Sequence, residues 1–189
     1  MIVSDYFANN GVFVFTSACK GEGKSTKVSS IGEDLCKIGE TVLVIDCDLR
    51  GSGYLEPLRG MFGYLYGGRR METVLLQPRP FPIIYAGFPS RPLDKIFHIK
   101  DSKNRFASLI QDARQKYNYV LIDTPPLGVF DDALEIAEFS DGIVLIKDPD
   151  RPSGESDLRL AERLKMSPVP VIGTILNKKI EGGIKYGLC

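Results

Sequence analysis

A glycine-rich run that carries lysine and hydroxyl side chains, Ala18-Cys19-Lys20-Gly21-Glu22-Gly23-Lys24-Ser25-Thr26, lies between the β-branched and aromatic stretch Val12 to Thr16 and a helical pattern. A phosphate-cradling loop needs this order of strand, loop and helix. Gly21 and Gly23 let successive amide N–H groups turn inward around an anion, and the following helix offers its positive end to the same charge. Lys20, Gly21, Glu22, Gly23, Lys24, Ser25 and Thr26 are therefore the candidate residues for a nucleoside triphosphate. Lys24 would reach the β- and γ-phosphates, and the Ser25 hydroxyl would face Mg²⁺. Ala18 stands where the usual motif has its first glycine, a small residue that fits if its φ is negative. The competing reading is a glycine-rich turn with a surface lysine.

Carboxylates at strand ends supply the second half of such a site. Asp123 follows Tyr119-Val120-Leu121-Ile122, four apolar or aromatic residues and then an acid, the form that puts a carboxylate near the magnesium of a phosphate loop. A helix cap at a strand exit is the alternative. In Ile45-Asp46-Cys47-Asp48-Leu49-Arg50, the two-residue period of a strand puts Asp46 and Asp48 on one side if the extended geometry persists. Such a pair can bind a hydrated metal and accept a proton from an attacking hydroxyl. It can also be a strand terminus paired with Arg50. The candidate metal set is Ser25, Asp46, Asp48 and Asp123, and the candidate catalytic set is Lys24, Asp46, Asp48 and Asp123.

The elements that must carry these residues are legible from periodicity. Gly11 to Thr16 reads as a strand, and Ser25 to Ile38 as a helix with Val28, Ile31, Leu35 and Ile38 at intervals of three and four, ended by Gly39. Thr41 to Ile45 is a continuous apolar strand of the kind buried on both faces. The stretch 49–79 is irregular and glycine-rich, with a short helix expected around Leu58 to Tyr66, and Tyr54, Tyr64, Tyr66 and Tyr85 are expected to pack nearby. A short strand follows at Ile83 to Ala86, its leading edge made hard to pair by the prolines before it. Further on come a helix from Ser102 through Tyr117, a strand at Tyr119 to Ile122, and a helix capped by Asp131 or Asp132. A strand at Gly142 to Ile146, a helix at Glu155 to Met166 and a last strand at Val171 to Leu176 complete the pattern. Strands alternating with helices predict an α/β fold with a doubly wound, mostly parallel sheet and the ligand at the carboxyl ends of the strands. The expectation is one nucleotide-binding domain over residues 1–189 with a short, fraying tail at 179–189.

Composition narrows the partners. The 189 residues hold 24 Lys+Arg and 24 Asp+Glu for a formal net charge of +0, so no nucleic-acid partner is expected. No apolar stretch approaches the about 18 residues of a membrane span, and the opening MIVSDYFANN lacks a basic n-region and an h-region, which predicts a cytoplasmic location. The cysteines at 19, 36, 47 and 189 show no C-x-x-C spacing and predict neither a disulfide framework nor a zinc site.

Taken in order, FTSACKGEGKST, TVLVIDCDLR, YVLIDTPP with Asp132-Ala133 beyond, and GTILN resemble the bacterial tyrosine kinases, P-loop autokinases related to the MinD and ParA ATPases. The resemblance covers most of the chain and implies a P-loop NTPase fold of the MinD/ParA-like group. It gives Lys24, Ser25 and Thr26 to phosphate and magnesium, Asp46 and Asp48 to magnesium and hydroxyl activation, and Asp123 to the metal site. It matches Asn177 to a position used for adenine recognition in the wider group. Read from the residues alone, Asn177 at a strand's end can equally cap a turn. The cofactors implied are ATP/ADP and Mg²⁺, and the implied activity is ATP-dependent autophosphorylation on tyrosine in the control of extracellular polysaccharide synthesis or export. A membrane-embedded activator of the polysaccharide copolymerase type is the implied partner, bringing the chain to the inner face of the membrane.

Several positions depart from the family pattern. Arg50-Gly51-Ser52-Gly53 stands where Arg-Arg-Pro is usual, Cys19 occupies the MinD-type signature lysine position, and Lys20 replaces a common proline. A homo-oligomer is implied by the resemblance, yet no ExxRxxR assembly motif occurs in the residues before Ala18. The family's terminal tyrosine cluster is represented by Tyr186 alone, a candidate phosphoacceptor or a plain tail aromatic. Two other functions use nearly the same site: a MinD/ParA-like regulatory ATPase in which water is the acceptor, and a nucleotide-sensing module with little turnover.

Overall fold

Continuous apolar runs of four or five residues form most of the strands, because a strand covered by helices on both faces has no side that profits from polar residues. The computed structural model describes residues 10–49, 60–76, 80–86, 96–97 and 101–177. The elements are β1 (Gly11–Thr16), α1 (Lys24–Lys37), β2 (Val42–Asp46), α2 (Gly60–Tyr66), α3 (Met71–Val74), β3 (Ile83–Ile84), α4 (Ser102–Lys116), β4 (Tyr119–Asp123), α5 (Asp132–Ala137), β5 (Gly142–Lys147), α6 (Glu155–Leu164) and β6 (Val171–Leu176). The six strands form one sheet in the order β3-β2-β4-β1-β5-β6, every neighbouring pair parallel. This is the doubly wound α/β arrangement expected from the sequence.

Alternation along each strand sorts the core into two layers. Phe13, Phe15, Val42, Val44, Tyr119 and Leu121 meet Val28, Ile31 and Leu35 of α1 on one face. Val12, Val14, Leu43, Ile45, Val120 and Ile122 meet Met61 and Leu65 of α2, Phe106, Leu109 and Ala113 of α4, and Ala133 and Ile136 of α5 on the other. In contrast α6 has no fully buried residue, and Leu158 is 68% exposed.

Most expected boundaries move by one residue. Larger differences have local causes. The edge strand β3 is two residues long because Leu76 turns back to form an antiparallel bridge with Ile83, and the backbone carbonyls of Tyr85 and Ala86 serve α2 through Met61 and Phe62 N–H instead of a ladder. Helix α6 stops at Leu164, two residues early, where Ser167 and its prolines close a turn. Helix α3 carries no sequence signal long enough to find it. Neither Asp131 nor Asp132 caps α5 with its side chain; the buried Asp132 carboxylate instead accepts the Ile96 N–H at 2.9 Å. Tyr64 is buried and donates to the Arg105 carbonyl at 3.0 Å, Tyr66 donates to the Ile96 carbonyl, and Tyr85 is half-buried. Tyr54 lies outside the described residues.

Gly39 ends α1 in the left-handed region at φ 93°, with Gly39 N–H on the Cys36 carbonyl at 3.0 Å and Glu40 N–H on the Leu35 carbonyl at 3.1 Å. This pair of bonds satisfies two otherwise orphaned carbonyls and sends the chain into β2. Nothing lies near the place of an added Cβ, so Gly39→Ala isolates the backbone cost. It is expected to destabilise the protein by about 1 kcal/mol, lowering the thermal midpoint by roughly 2–4 °C. An unchanged midpoint would contradict this role.

Candidate functional site

The parallel sheet brings the carboxyl ends of β1, β2 and β4 together, and the sequence places its reactive groups there. Phe15 of β1 is in register with Asp123 of β4, which is in turn in register with Asp46 of β2. Two acids thus face one another across neighbouring strands beside the loop that leaves β1. That loop turns through Gly21 at φ 89° and Gly23 at φ 82°, and Gly23 is the N-cap of α1. Lys20 and Gly21 are exposed, Lys24 is buried at the start of α1, and Ser25 and Thr26 are exposed on its first turn.

Asp123 is 4% exposed. Its carboxylate accepts a hydrogen bond from the Ser25 side chain and lies near Lys24 and Asp48. One oxygen, Oδ1, is buried without a hydrogen-bond partner. A buried carboxylate oxygen left unsatisfied is costly; its neighbours here are the Ser25 hydroxyl, the Lys24 ammonium and further acids, and the oxygen donors among them suit a hard cation. Among the described residues no three His, Cys, Asp or Glu side chains converge as a ready metal cage. Mg²⁺ needs no such cage, because it keeps several waters and takes one or two carboxylates with phosphate oxygens.

The extended geometry does not persist through Asp48. Strand β2 ends at Asp46, whose Oδ1 accepts the Asp48 N–H at 2.9 Å, and Leu49 N–H bonds the Cys47 carbonyl at 2.9 Å. Asp46 therefore folds the chain back in an Asx-type turn, and the alternation that put the two acids on one side stops at the strand end. Arg50, the alternative partner, lies outside the described residues, as does Tyr186.

The Glu22 side chain is tied into the surrounding fold. It is 1% exposed, and its carboxylate accepts Cys19 N–H at 2.7 Å, Arg151 Nε at 3.1 Å and Asp148 N–H at 3.4 Å. Asn177 reaches the same loop: its Nδ2 donates to the Glu22 carbonyl at 2.9 Å, while its backbone N–H bonds the Lys147 carbonyl at 2.7 Å. A Cβ on Gly23 would come within 2.0 Å of the Asn177 amide nitrogen, so glycine is required there by both φ and contact.

Sequence reasoning missed Arg151 and Gly128. Gly128, in the loop after β4, is pinched so that a Cβ would sit 2.2 Å from the Ala18 carbonyl and 2.5 Å from that of Ser156. Arg151 lies in the turn after β5. Its only signal is the spacing to Gly154 and Asp157, whose carboxylate accepts Gly154 N–H at 2.9 Å and Arg151 Nη2 at 2.7 Å.

No protein-family model matches the chain. Individual proteins do. The chain is 29% identical over 187 residues to the tyrosine-protein kinase CpsD of Streptococcus agalactiae, covering 94% of this chain and 80% of that protein. It is also 29% identical over 191 residues to a putative tyrosine-protein kinase in the cps region of Klebsiella pneumoniae, covering 95% of this chain and 26% of that longer protein. The chain is a relative of the bacterial tyrosine kinases. Its fold matches the kinase domain of Escherichia coli tyrosine kinase ETK with a TM-score of 0.76 at 24% identity, over 97% of this chain and 76% of that one. It also matches a cobyrinic acid a,c-diamide synthase from Mycobacterium smegmatis, solved with an ATP analogue and magnesium. There the TM-score is 0.69 at 16% identity, over 92% of this chain and 77% of that one. The fold is therefore that of the P-loop NTPases.

Burial is the first cause that pushes Asp46 up to about 7, with the Asp123 charge next; burial also pushes Asp123 up to about 6, against the pull of the Ser25 hydroxyl and Lys24. A carboxylate whose folded pKa lies above its unfolded value costs the fold stability when ionised. That cost is absent below about pH 4, grows between pH 4 and 7, and is complete above it. Without nucleotide, Asp123→Asn is thus expected to raise the thermal midpoint by roughly 5 °C at pH 8 and to leave it little changed at pH 4.5. Equal shifts at both pH values would show that charge is not the cause.

Proposed function

We propose that this chain binds ATP with Mg²⁺ and transfers the γ-phosphoryl group to a tyrosine hydroxyl, as an autokinase. The observation that carries this reading is the in-register pair Asp46 and Asp123 at the mouth of a loop turned by two left-handed glycines. Backbone N–H groups around Gly21 and Gly23 hold the phosphates, Lys24 contacts the β- and γ-phosphates, and Ser25 with Asp123 would hold the metal. Bound Mg²⁺ supplies neutralisation of the phosphate oxygens. Asp46 and Asp48 orient the tyrosine hydroxyl and take its proton during in-line attack. Asn177 contributes the loop's position, and its remaining amide groups are available to adenine.

The polysaccharide role rests on relatives such as the Klebsiella protein of the cps region. The partner proposed is a membrane-embedded activator of copolymerase type, with the chain at the cytoplasmic face. No helix among the described residues is long and apolar enough to cross a membrane. Tyr186 is the proposed acceptor.

Incubation with γ-labelled ATP and Mg²⁺ tests the chemistry, following protein-bound label and free phosphate together. Wild type is expected to carry label on tyrosine, with Lys24→Ala and Asp48→Asn reducing it by about 100-fold or more. Free phosphate without protein label would overturn the kinase reading in favour of a regulatory ATPase.

A further inference from the structure

A largely apolar cavity of about 260 Å³ lies between the phosphate loop and α6, with Ala18, Glu22, Leu145, Leu160 and Leu164 among its walls. A turn containing two left-handed glycines and bordering a cavity gains from polar ties that fix its amides.

Glu22 is gripped from two sides. Its carboxylate takes the Cys19 N–H at 2.7 Å within the loop and the Arg151 Nε at 3.1 Å from the turn after β5. Its carbonyl takes the Asn177 amide at 2.9 Å from the end of β6. Arg151 is itself fixed by Asp157 at 2.7 Å, and Asp157 by Gly154 N–H at 2.9 Å, at the start of α6. The line Cys19–Glu22–Arg151–Asp157 therefore runs from inside the phosphate loop to the first turn of a helix. A second tie anchors the far end of that helix, where Arg163 Nη1 bonds the Leu127 carbonyl at 2.6 Å in the loop after β4.

We propose that Glu22 is a positioning residue that holds the phosphate loop open from within, and that Arg151 is the counter-charge that makes an acid tolerable there. This inference rests on the nucleotide reading above. A glutamate inside an anion-binding loop opposes the phosphates through its own charge. Arg151 offsets that opposition as the full positive charge bound to it, the other donors being the neutral Cys19 and Asp148 N–H groups at 2.7 and 3.4 Å, and breaking such a pair leaves its partner's charge uncompensated. A nucleotide ligand and a strut consequently predict opposite epistasis. If Glu22 served the nucleotide directly, removing its charge would add to the loss of Arg151. As a strut, removing its charge repairs that loss.

The test is the affinity of the full chain for fluorescent mant-ADP with Mg²⁺, together with the thermal midpoint of each variant. Arg151→Met is expected to weaken binding about tenfold, and Glu22→Gln in that background to restore it to within about threefold of wild type. Arg151→Lys keeps the charge and is expected to fall between the two. Asp157→Asn releases Arg151 from its solvent end and is expected to weaken binding about threefold, which keeps the inference testable if Arg151→Met does not fold. Wild-type affinity in Arg151→Met and Asp157→Asn, or a double variant no better than Arg151→Met, overturns the inference alone. A wild-type chain with no affinity for mant-ADP overturns the nucleotide reading and this inference with it.

Discussion

A buried carboxylate oxygen on Asp123 without a partner, facing Asp46 across two parallel strands, is the constraint around which the site is built. Protein interiors rarely leave such an atom unpaired, and two acids in register oppose each other's ionisation. The arrangement makes physical sense where a cation and a polyphosphate complete it. The sheet order follows from the same need: β4 must lie between β1 and β2 for one acid strand to neighbour both the phosphate loop and the second acid strand.

Everything near this centre is held by backbone geometry and polar ties in place of bulk. Gly21 and Gly23 supply the left-handed turns, Gly128 allows the loop after β4 to pass between two carbonyls, and Thr16 binds that loop by donating to Pro125 O and accepting from Leu127 N–H. Along β2 and β4 the apolar runs end at Ile45 and Ile122, immediately before the two acids, and buried Leu49 and Leu127 close the core beyond them. This division gives a rigid floor of Val, Ile, Leu and Phe below and a polar rim that can respond to charge above.

The layers were legible in the sequence because buried parallel strands read as unbroken apolar runs and α1 and α4 show clean helical spacing. The phosphate loop and Asp123 were legible because their chemistry depends on neighbours in sequence. What the sequence withheld depends on partners far along the chain. Glu22 reads as one more residue of a nucleotide loop until Arg151, 129 positions later, turns its carboxylate inward. The turn that follows Asp46 was not legible, because nothing in the local pattern says that Asp46 will accept the Asp48 N–H, and the extended geometry on which the pairing of Asp46 with Asp48 was conditioned ends there. Asp132 reads as a cap for the same reason, its partner Ile96 being reached only through the fold.

The central claim is that the carboxyl groups at the strand ends wait for positive charge brought with the nucleotide. Calorimetric titration with ADP at pH 6.5 and excess Mg²⁺, repeated in buffers of different ionisation heat, counts the protons exchanged on binding. Values near 7 for Asp46 and near 6 for Asp123 predict the release of roughly one proton per nucleotide bound. That release should vanish in the Asp46→Asn, Asp123→Asn double variant wherever its residual binding can be measured. Binding by the wild type with no proton release would contradict the account.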